Sequence, residues 1–424
     1  MRKIFEIVVV ALVAIVAGYA LGALRPLAAR AEDAPPLPAP LRIENVRAIA
    51  RQQRAEVTAA SARARAATQR PAVVDALEDP IISPSIDHLP TSLEGVDASL
   101  AIEQRFPLSG VRGYRREGAE AEATRLLAAF KRTQFAVELE AVRAFLMLHE
   151  RREMLRIIEQ QEALARELAA AAAGRYAGAT GSQADVLRAE IEIARFGGFA
   201  RALTAQIAGA EAMLATSLGL PAETLVPPLE YHGSDTSLPT REAVRDAALR
   251  NRPELRGGEA EIERAEAEVR VMKSMYRPMA MVRAGPSYTM ADGAGGMAMI
   301  GLSIPLWRKR LAAGVAEAEA MADMARADLE AMRRMTVGEA SAARDEVAAA
   351  IALSHSLRDE VVPRARQAVT AALSAYGAGS LPLVSVVDAA QALWSAQSEL
   401  VQSDVALGIA WAMLERAAGG LGGQ

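Results

Sequence analysis

Side chains that could perform acid–base, nucleophilic or metal chemistry are few and scattered in this sequence. Cysteine is absent, which excludes thiolate metal sites and disulfides. The segment from Gly178 to Ser182 lacks the lysine of a phosphate-binding loop, and Gly293 to Gly296 is interpreted as a loop between strands. None of the four histidines has the spacing of a metal ligand: His88, His149, His232 and His355. We therefore predict no catalytic residues, no enzyme activity and no cofactor.

Methionine is the remaining residue type with ligand chemistry, because soft thioethers suit Cu(I). Eleven of the sixteen methionines lie between Met272 and Met335. Four of them share one alternation phase with Arg283: Met279, Met281, Met297 and Met299. Ordinary gap-filling is the alternative interpretation. Because the expected strand ends place the two pairs at opposite ends of neighbouring strands, we assign no metal ligand.

The first residues have the pattern of an export signal. Arg2 and Lys3 precede an apolar run from Ile7 to Leu24, and a small-x-small site ends at Ala31. We expect residues 1–31 to be a cleaved signal peptide and 32–42 to be a flexible Pro-rich segment. The apolar run is longer than a usual signal core, so an uncleaved inner-membrane anchor is the alternative. Either outcome places the protein in a bacterial envelope.

The composition favours long helices over a compact enzyme. Aromatic residues make up only 4% of the chain, and alanine and leucine dominate alongside Glu and Arg. The net charge is -4 and no basic stripe is present, so nucleic acid is not an expected partner.

Two very long helices are predicted, each followed by a tight turn. Residues Gly110 to Gly174 contain no proline, and Phe135, Leu139, Val142 and Leu146 form one apolar stripe. The equivalent segment further along runs from Arg308 to Tyr376, and a shorter helix is expected over Ile43 to Thr68. Helices of this length must pair as antiparallel coiled-coil hairpins.

Four segments are predicted as strands: 72–82, 96–106, 279–290 and 297–306. Three of them alternate with one apolar phase, whereas Asp75, Glu78 and Asp79 interrupt the alternation of 72–82. The polar phase supplies the candidate lumen residues: Asp97, Ser99, Glu103, Arg105 and Arg283. Strands of this length can cross a membrane when tilted, and a half-buried soluble sheet is the alternative. Four strands cannot close a barrel, so three chains are expected to supply twelve.

The pattern also repeats within the chain. The segment from Tyr176 to Ala189 aligns without a gap with the segment from Tyr376 to Ala389, and Pro107-Leu108 aligns with Pro305-Leu306. We predict two structural repeats, 43–232 and 233–424, each with a helix, two strands and a long helical hairpin. The expected fold is mainly α with a small β part. It has duplicated coiled-coil hairpins and four transmembrane β-strands per chain, closing as a trimeric 12-stranded barrel and α-helical tunnel.

These turn motifs, the Pro-Leu strand ends and Asn251-Arg-Pro-Glu-Leu255 resemble the TolC family of outer membrane efflux proteins over about residues 41–418. With its methionines, the sequence is similar to the heavy-metal branch of this family, whose members pair with RND pumps. The resemblance implies a homotrimeric duct in outer-membrane lipid, reaching into the periplasm as part of a tripartite efflux system. Its partners would be a periplasmic adaptor protein and, through it, an inner-membrane pump.

The resemblance also implies roles for residues at the two hairpin tips. The adaptor-contact residues would be Gly178, Thr180, Gly181, Asp185, Leu187, Gly379, Ser380, Pro382 and Val386. A tight turn with no partner is the alternative interpretation. Asp388 matches one of two aspartates that narrow the tunnel in relatives, and Ser385 stands in place of the other.

Two other functions compete with the duct. A periplasmic adaptor has long hairpins but needs an all-β module flanking a single hairpin. A coiled-coil structural envelope protein would leave the alternating strands unexplained.

Overall fold

The computed structural model describes residues 37–86, 97–234, 237–289 and 291–420. All elements given below lie in one compact unit, Pro38–Gln424. The predicted signal peptide, His88 and Met290 lie outside the described residues, as do the first five residues of the Pro-rich segment.

In its described residues the first half contains four helices and two strands, in the order helix, helix, strand, strand, long helix, helix. They are α1 (Ile43–Gln53), α2 (Ala55–Asp75), β1 (Ile81–Ile86), β2 (Ala98–Pro107), α3 (Val111–Ala177) and α4 (Gln183–Ser217).

The second half repeats this order. It comprises α5 (Arg241–Asn251), α6 (Pro253–Ser274), β3 (Met279–Thr289), β4 (Gly293–Ser303), α7 (Arg308–Ser356), a π-helical turn (Leu357–Val361), α8 (Val362–Gly377) and α9 (Leu383–Ala417).

In each half an arginine separates the first helix from the second. The single helix predicted over Ile43 to Thr68 was therefore wrong. Arg54 is extended between α1 and α2, and its guanidinium donates to the carbonyl oxygen of Ser217 at 3.1 Å. Arg252 has the same place between α5 and α6, where it pairs with Glu339 at 2.6 Å. Each arginine therefore ties the break to a long-range neighbour.

A glycine at the end of each half fits against these breaks. Gly219 and Gly419 both have positive φ, at 79° and 75°. A Cβ at Gly219 would lie 2.8 Å from the backbone of Gln53, and one at Gly419 would lie 2.6 Å from the backbone of Asn251. The backbones approach too closely for any side chain, so glycine is required at both places.

The long helices are confirmed, with one interruption. Helix α3 has 67 residues, and a rise of about 1.5 Å per residue makes it roughly 100 Å long. The second long segment, predicted as unbroken from Arg308 to Tyr376, contains the π turn at Leu357–Val361. Pro363 lies two residues beyond this turn, and its missing N–H and bulky ring explain why regular α-helical bonding fails there.

The strands form one antiparallel sheet in the order β1-β2-β3-β4. The central pair joins the halves, with Glu103 opposite Arg283. Two predicted boundaries were wrong. Residues 72–75 continue α2, so β1 begins only at Ile81, and β4 begins at Gly293, which makes Gly293 to Gly296 strand rather than loop.

The hairpins pack through apolar clusters of side chains from several helices. Near the tips, Leu168 of α3, Ala189 of α4, Tyr376 of α8 and Leu383 of α9 are buried together. Among the described residues, no helix has an apolar stretch long enough to cross a membrane.

Candidate functional site: the two-faced sheet and the hairpin tips

One face of the sheet is apolar and exposed. The register of the three strand pairs places all even-numbered strand residues on this face. Only Gln104 interrupts it, and its large exposed members are Ile82, Ile86, Leu100, Ile102, Phe106, Val282, Tyr288, Ile300 and Leu302. An exposed apolar surface of this extent marks a contact with lipid or with another protein.

The opposite face is polar and carries the predicted lumen residues. Ser99, Glu103 and Arg105 lie on it from β2, Arg283 lies on it from β3, and Asp97 directly precedes β2. Arg105 pairs with Glu103 at 3.3 Å. The sequence thus correctly grouped these side chains on one face, and their position in a lumen stays a prediction.

Gly285 sets how closely β2 and β3 approach. A Cβ at this position would overlap the carbonyl oxygen of Leu100 and lie 3.0 Å from the Cα of Ala101. A side chain at position 285 would therefore force β2 and β3 apart.

Both edges of the sheet are unpaired within the described residues. Strand β1 has a neighbour only in β2, and β4 only in β3. Strand β4 is 11 residues long and β1 only 6. Free edges next to an apolar face invite pairing with another chain.

The two tips fold their turns in the same way. Amides of Thr180 and Gly181 donate to the carbonyl of Arg175, and the amide of Ser380 donates to the carbonyl of Ala375 at 3.0 Å. The positive-φ residue is Ala179 in the first tip, at 57°, and Gly379 in the second, at 77°.

Arg175 joins the two tips. Its guanidinium donates to the carbonyl oxygens of Tyr376 and Thr180 and lies 4.7 Å from the centre of the Tyr376 ring. Tyr376 is buried, which raises the pKa of its phenol, whereas the equivalent Tyr176 is exposed. Sequence analysis did not identify this cross-tip contact, because the aligned tyrosines gave no sign that only one of them is buried.

Most predicted tip residues are accessible. Gly178, Thr180, Leu187, Gly379, Ser380 and Pro382 are exposed, and Gly181 and Asp185 are half-buried. Val386 is a correction, because its side chain is completely buried among Leu168, Ala172 and Leu383. It belongs to the core of the paired hairpins and has no surface to offer an adaptor.

Both predicted aperture residues lie at the start of α9, Ser385 half-buried and Asp388 exposed. A narrowing of the tunnel by Ser385 and Asp388 needs the same residues from other copies of the chain, so the aperture stays a prediction. Among the described residues, no three His, Asp or Glu side chains are grouped closely enough to hold a metal ion.

Comparison with known proteins gives a family match and a fold. Residues 244–420 match the family model described as outer membrane efflux protein. No curated protein matches the sequence significantly.

Several solved structures share the fold. The outer-membrane channel OprN is 20% identical, with 89% of this chain and 90% of that chain covered and a TM-score of 0.77. The outer membrane protein VceC from Vibrio cholerae is 17% identical, with 89% and 96% covered and a TM-score of 0.75. The open state of the MtrE outer membrane channel from Neisseria gonorrhoeae is 14% identical, with 89% of each covered and a TM-score of 0.75.

The matched region comprises most of the second half, and the shared fold extends over both halves. The shared fold differs from the all-β module with a single hairpin that an adaptor needs, and it accounts for the strands that a structural coiled coil leaves unexplained. These findings do not single out the heavy-metal branch. Residues 244–420 thus match the outer membrane efflux protein family, and the whole chain shares the fold of solved outer-membrane channels.

Proposed function

We propose that the chain is the outer-membrane channel component of an efflux system and works as a homotrimer, in which three four-stranded sheets close into one 12-stranded barrel, since 3 × 4 = 12. The observation that carries this proposal is the two-faced sheet, whose two edges have no partner strand among the described residues. In lipid, each unsatisfied backbone group at an open edge costs several kcal/mol. Pairing β4 of one copy with β1 of the next removes both edges and gives an even-numbered barrel.

The apolar face then contacts outer-membrane lipid, and the polar face lines the pore. Nearly all even-numbered side chains are apolar, as a lipid-facing surface requires. Asp97, Ser99, Glu103, Arg105 and Arg283 would contact the passing solute. The half-buried soluble sheet is disfavoured, because this apolar face has no helix or second sheet covering it within the described chain.

The helices offer matching edges for neighbouring copies. Leu187 and Ile191 lie one turn apart on α4 and are 52% and 62% exposed. Helix α8 belongs to the other hairpin and borders a groove lined by Val362, Thr370 and Ala371. Burying the α4 ridge in that groove of the next copy would extend the closed wall from the barrel into a helical tunnel, with 43–232 and 233–424 as its structural repeats.

The exposed tips are the proposed docking site for a periplasmic adaptor. Glycine and small hydroxyl side chains at Gly178, Thr180, Gly379 and Ser380 allow a partner backbone to approach. The first turns of α4 and α9 also present backbone N–H groups that lack intrahelical acceptors. The adaptor would connect the duct to an inner-membrane pump, and three copies of Asp388 would form the narrowest ring.

Cysteine cross-linking tests the arrangement of copies, because the native chain has no cysteine. Ile191→Cys and Thr370→Cys place one thiol on α4 and one on α8, each a similar distance from its tip. Oxidation of the double variant should give covalent dimers and trimers in denaturing gels.

The single variants should stay monomeric, and a mismatched pair of Ile191→Cys with Thr58→Cys should not cross-link. Efficient cross-linking of the mismatched pair, or a matched pair that links only within one chain, would contradict the proposed packing.

A further inference from the structure

Four methionines form a continuous row on the polar face of β3 and β4. The register places Met281 opposite Gly301 and Met299 opposite Arg283. Met281 and Met299 are therefore diagonal neighbours, a relation in which residues lie about 7–8 Å apart and long side chains meet. Met279 continues the row along β3, and Met297 continues it along β4.

The observed start of β4 brings the two methionine pairs together. If β4 began at Met297, as expected from the sequence, the two pairs would lie at opposite ends of neighbouring strands. Because β4 begins at Gly293, Met297 and Met299 lie in the middle of the strand. The zigzag from Met279 through Met281 and Met299 to Met297 then has steps of about 7 Å.

Glycines on the opposite strand leave room for the thioethers. Met281 faces Gly301, and Met297 faces Gly285. A Cβ at Gly301 would lie 2.9 Å from Cε of Met281, so the end of this side chain lies over the glycine, toward the row of Met299. The side chain of Met281 therefore reaches the strand that carries Met299.

These methionines do not fill a core. Met279 and Met299 are 38% and 42% exposed, and Met281 and Met297 are half-buried. Gap-filling, the usual role of methionine, requires surrounding apolar side chains. On this face only one of the cross-strand neighbours has an apolar side chain, Pro107 opposite Met279; the others are Arg105, Arg283, Gly285, Gly301 and Ser303.

We propose that Met279, Met281, Met299 and Met297 form a relay for soft monovalent cations of the Cu(I) and Ag(I) class, which pass as substrate along the pore wall. Thioethers prefer such ions, and two sulfur donors suffice for the linear coordination that they accept. The proposal rests on the proposed function, because it needs the polar face to line the pore.

Nearby charges keep the binding weak. Arg105 lies beside Met281 and Arg283 beside Met299, while Glu103 offsets one of these positive charges. A conduction path needs sites that a cation can leave, and several weak sites in a row meet that need. Arg283 thus accelerates release by repelling the bound ion.

Silver binding to the detergent-solubilised protein tests the central pair. Ag(I), added as the nitrate in chloride-free buffer, should bind at least about tenfold more weakly to the double variant Met281→Leu, Met299→Leu. Labelled methyl groups of Met281 and Met299 should shift together during the titration of the native protein. The matched control is Met213→Leu with Met413→Leu, two exposed helical methionines that have no methionine within four residues.

Equal silver binding in both double variants would overturn the relay. Arg283→Gln removes the opposing charge, so the affinity of the native row for silver should rise about three- to tenfold. An unchanged or lower affinity would remove the proposed role of Arg283.

Potassium conductance of the same samples separates the relay from the duct. A trimer that conducts potassium but binds no silver at the row would leave the channel intact and refute the relay. A sample that forms no conducting trimer would instead refute the proposed barrel.

Discussion

Ala179 and Gly379 occupy equivalent places in the two tips, and both have positive φ. Left-handed backbone costs a residue with a Cβ about 1–2 kcal/mol relative to glycine. The first tip tolerates this strain because Thr180 and Gly181 both bond to the carbonyl of Arg175. The two turns therefore differ in backbone strain, although their sequences align without a gap.

Gly379→Ala should destabilise the second tip by about 1 kcal/mol. The strain should appear as faster hydrogen exchange of the Ser380 amide, whose bond to Ala375 closes the turn. Gly377→Ala is the matched control. It lies two residues away at the end of α8 with open space around it, so its exchange should be unchanged or slower. Faster exchange in both variants would refute the assignment of strain to φ.

His149 should make the stability of the helical part depend on pH. Burial lowers the pKa of its imidazole, an effect that Arg152 adds to and that Glu153 and Asp404 oppose. Because the folded state disfavours the charged form, this contribution is fully present above the usual histidine pKa of about 6.5 and is lost as the pH falls from there through the lowered pKa of the folded state.

His149→Phe keeps a ring against Tyr231, whose centre lies 5.2 Å from that of His149. The melting temperature of this variant should fall less between pH 7.5 and 5.0 than that of the native protein. An identical pH dependence in both proteins would refute the role of His149.

The site residues show which of their properties follow from sequence. Alternation correctly placed Glu103, Arg105 and Arg283 on one face, because a strand has a strict period of two. Burial of Val386 was missed, since it depends on how two hairpins pack side by side. The contact between Arg175 and Tyr376 was missed for the same reason, because it joins residues about two hundred positions apart.

At the scale of elements, the long helices were predictable because apolar stripes and the absence of breakers extend over dozens of residues. Their interruptions were not. The break at Arg54 has no proline or glycine, and its conformation is held by tertiary contacts with Ser217 and Glu140. The start of β4 was missed because Gly293 to Gly296 lacks side chains to show alternation.

Gly285→Ala should disrupt the pairing of β2 with β3. Its methyl group would overlap the carbonyl oxygen of Leu100, so the strands must separate and the barrel should fail to close. Loss of the heat-resistant oligomer on unheated gels would report this failure.

Gly295→Ala is the matched control, because it lies on the same face and its Cβ would meet only the Ser287 hydroxyl oxygen, at 3.8 Å. This variant should keep the heat-resistant oligomer. An intact oligomer in Gly285→Ala would show that the close approach at Leu100 is not needed for closure.

At the scale of the whole molecule, one chain supplies an incomplete wall. Its sheet has two free edges and one uncovered apolar face, and α4 exposes Leu187 and Ile191 near the tips. In the proposed trimer, other copies of the chain would complete all of these surfaces at once. The trimer stays a prediction, which rests on the constraint that four strands cannot form a closed barrel in lipid.

The native mass of the protein extracted from outer membranes in mild detergent tests this central claim most directly. The account predicts the mass of three chains after correction for bound detergent, and dissociation to one chain on heating. A detergent-free monomer in the soluble periplasmic fraction would contradict it, because its apolar sheet face and both sheet edges would then have no partner.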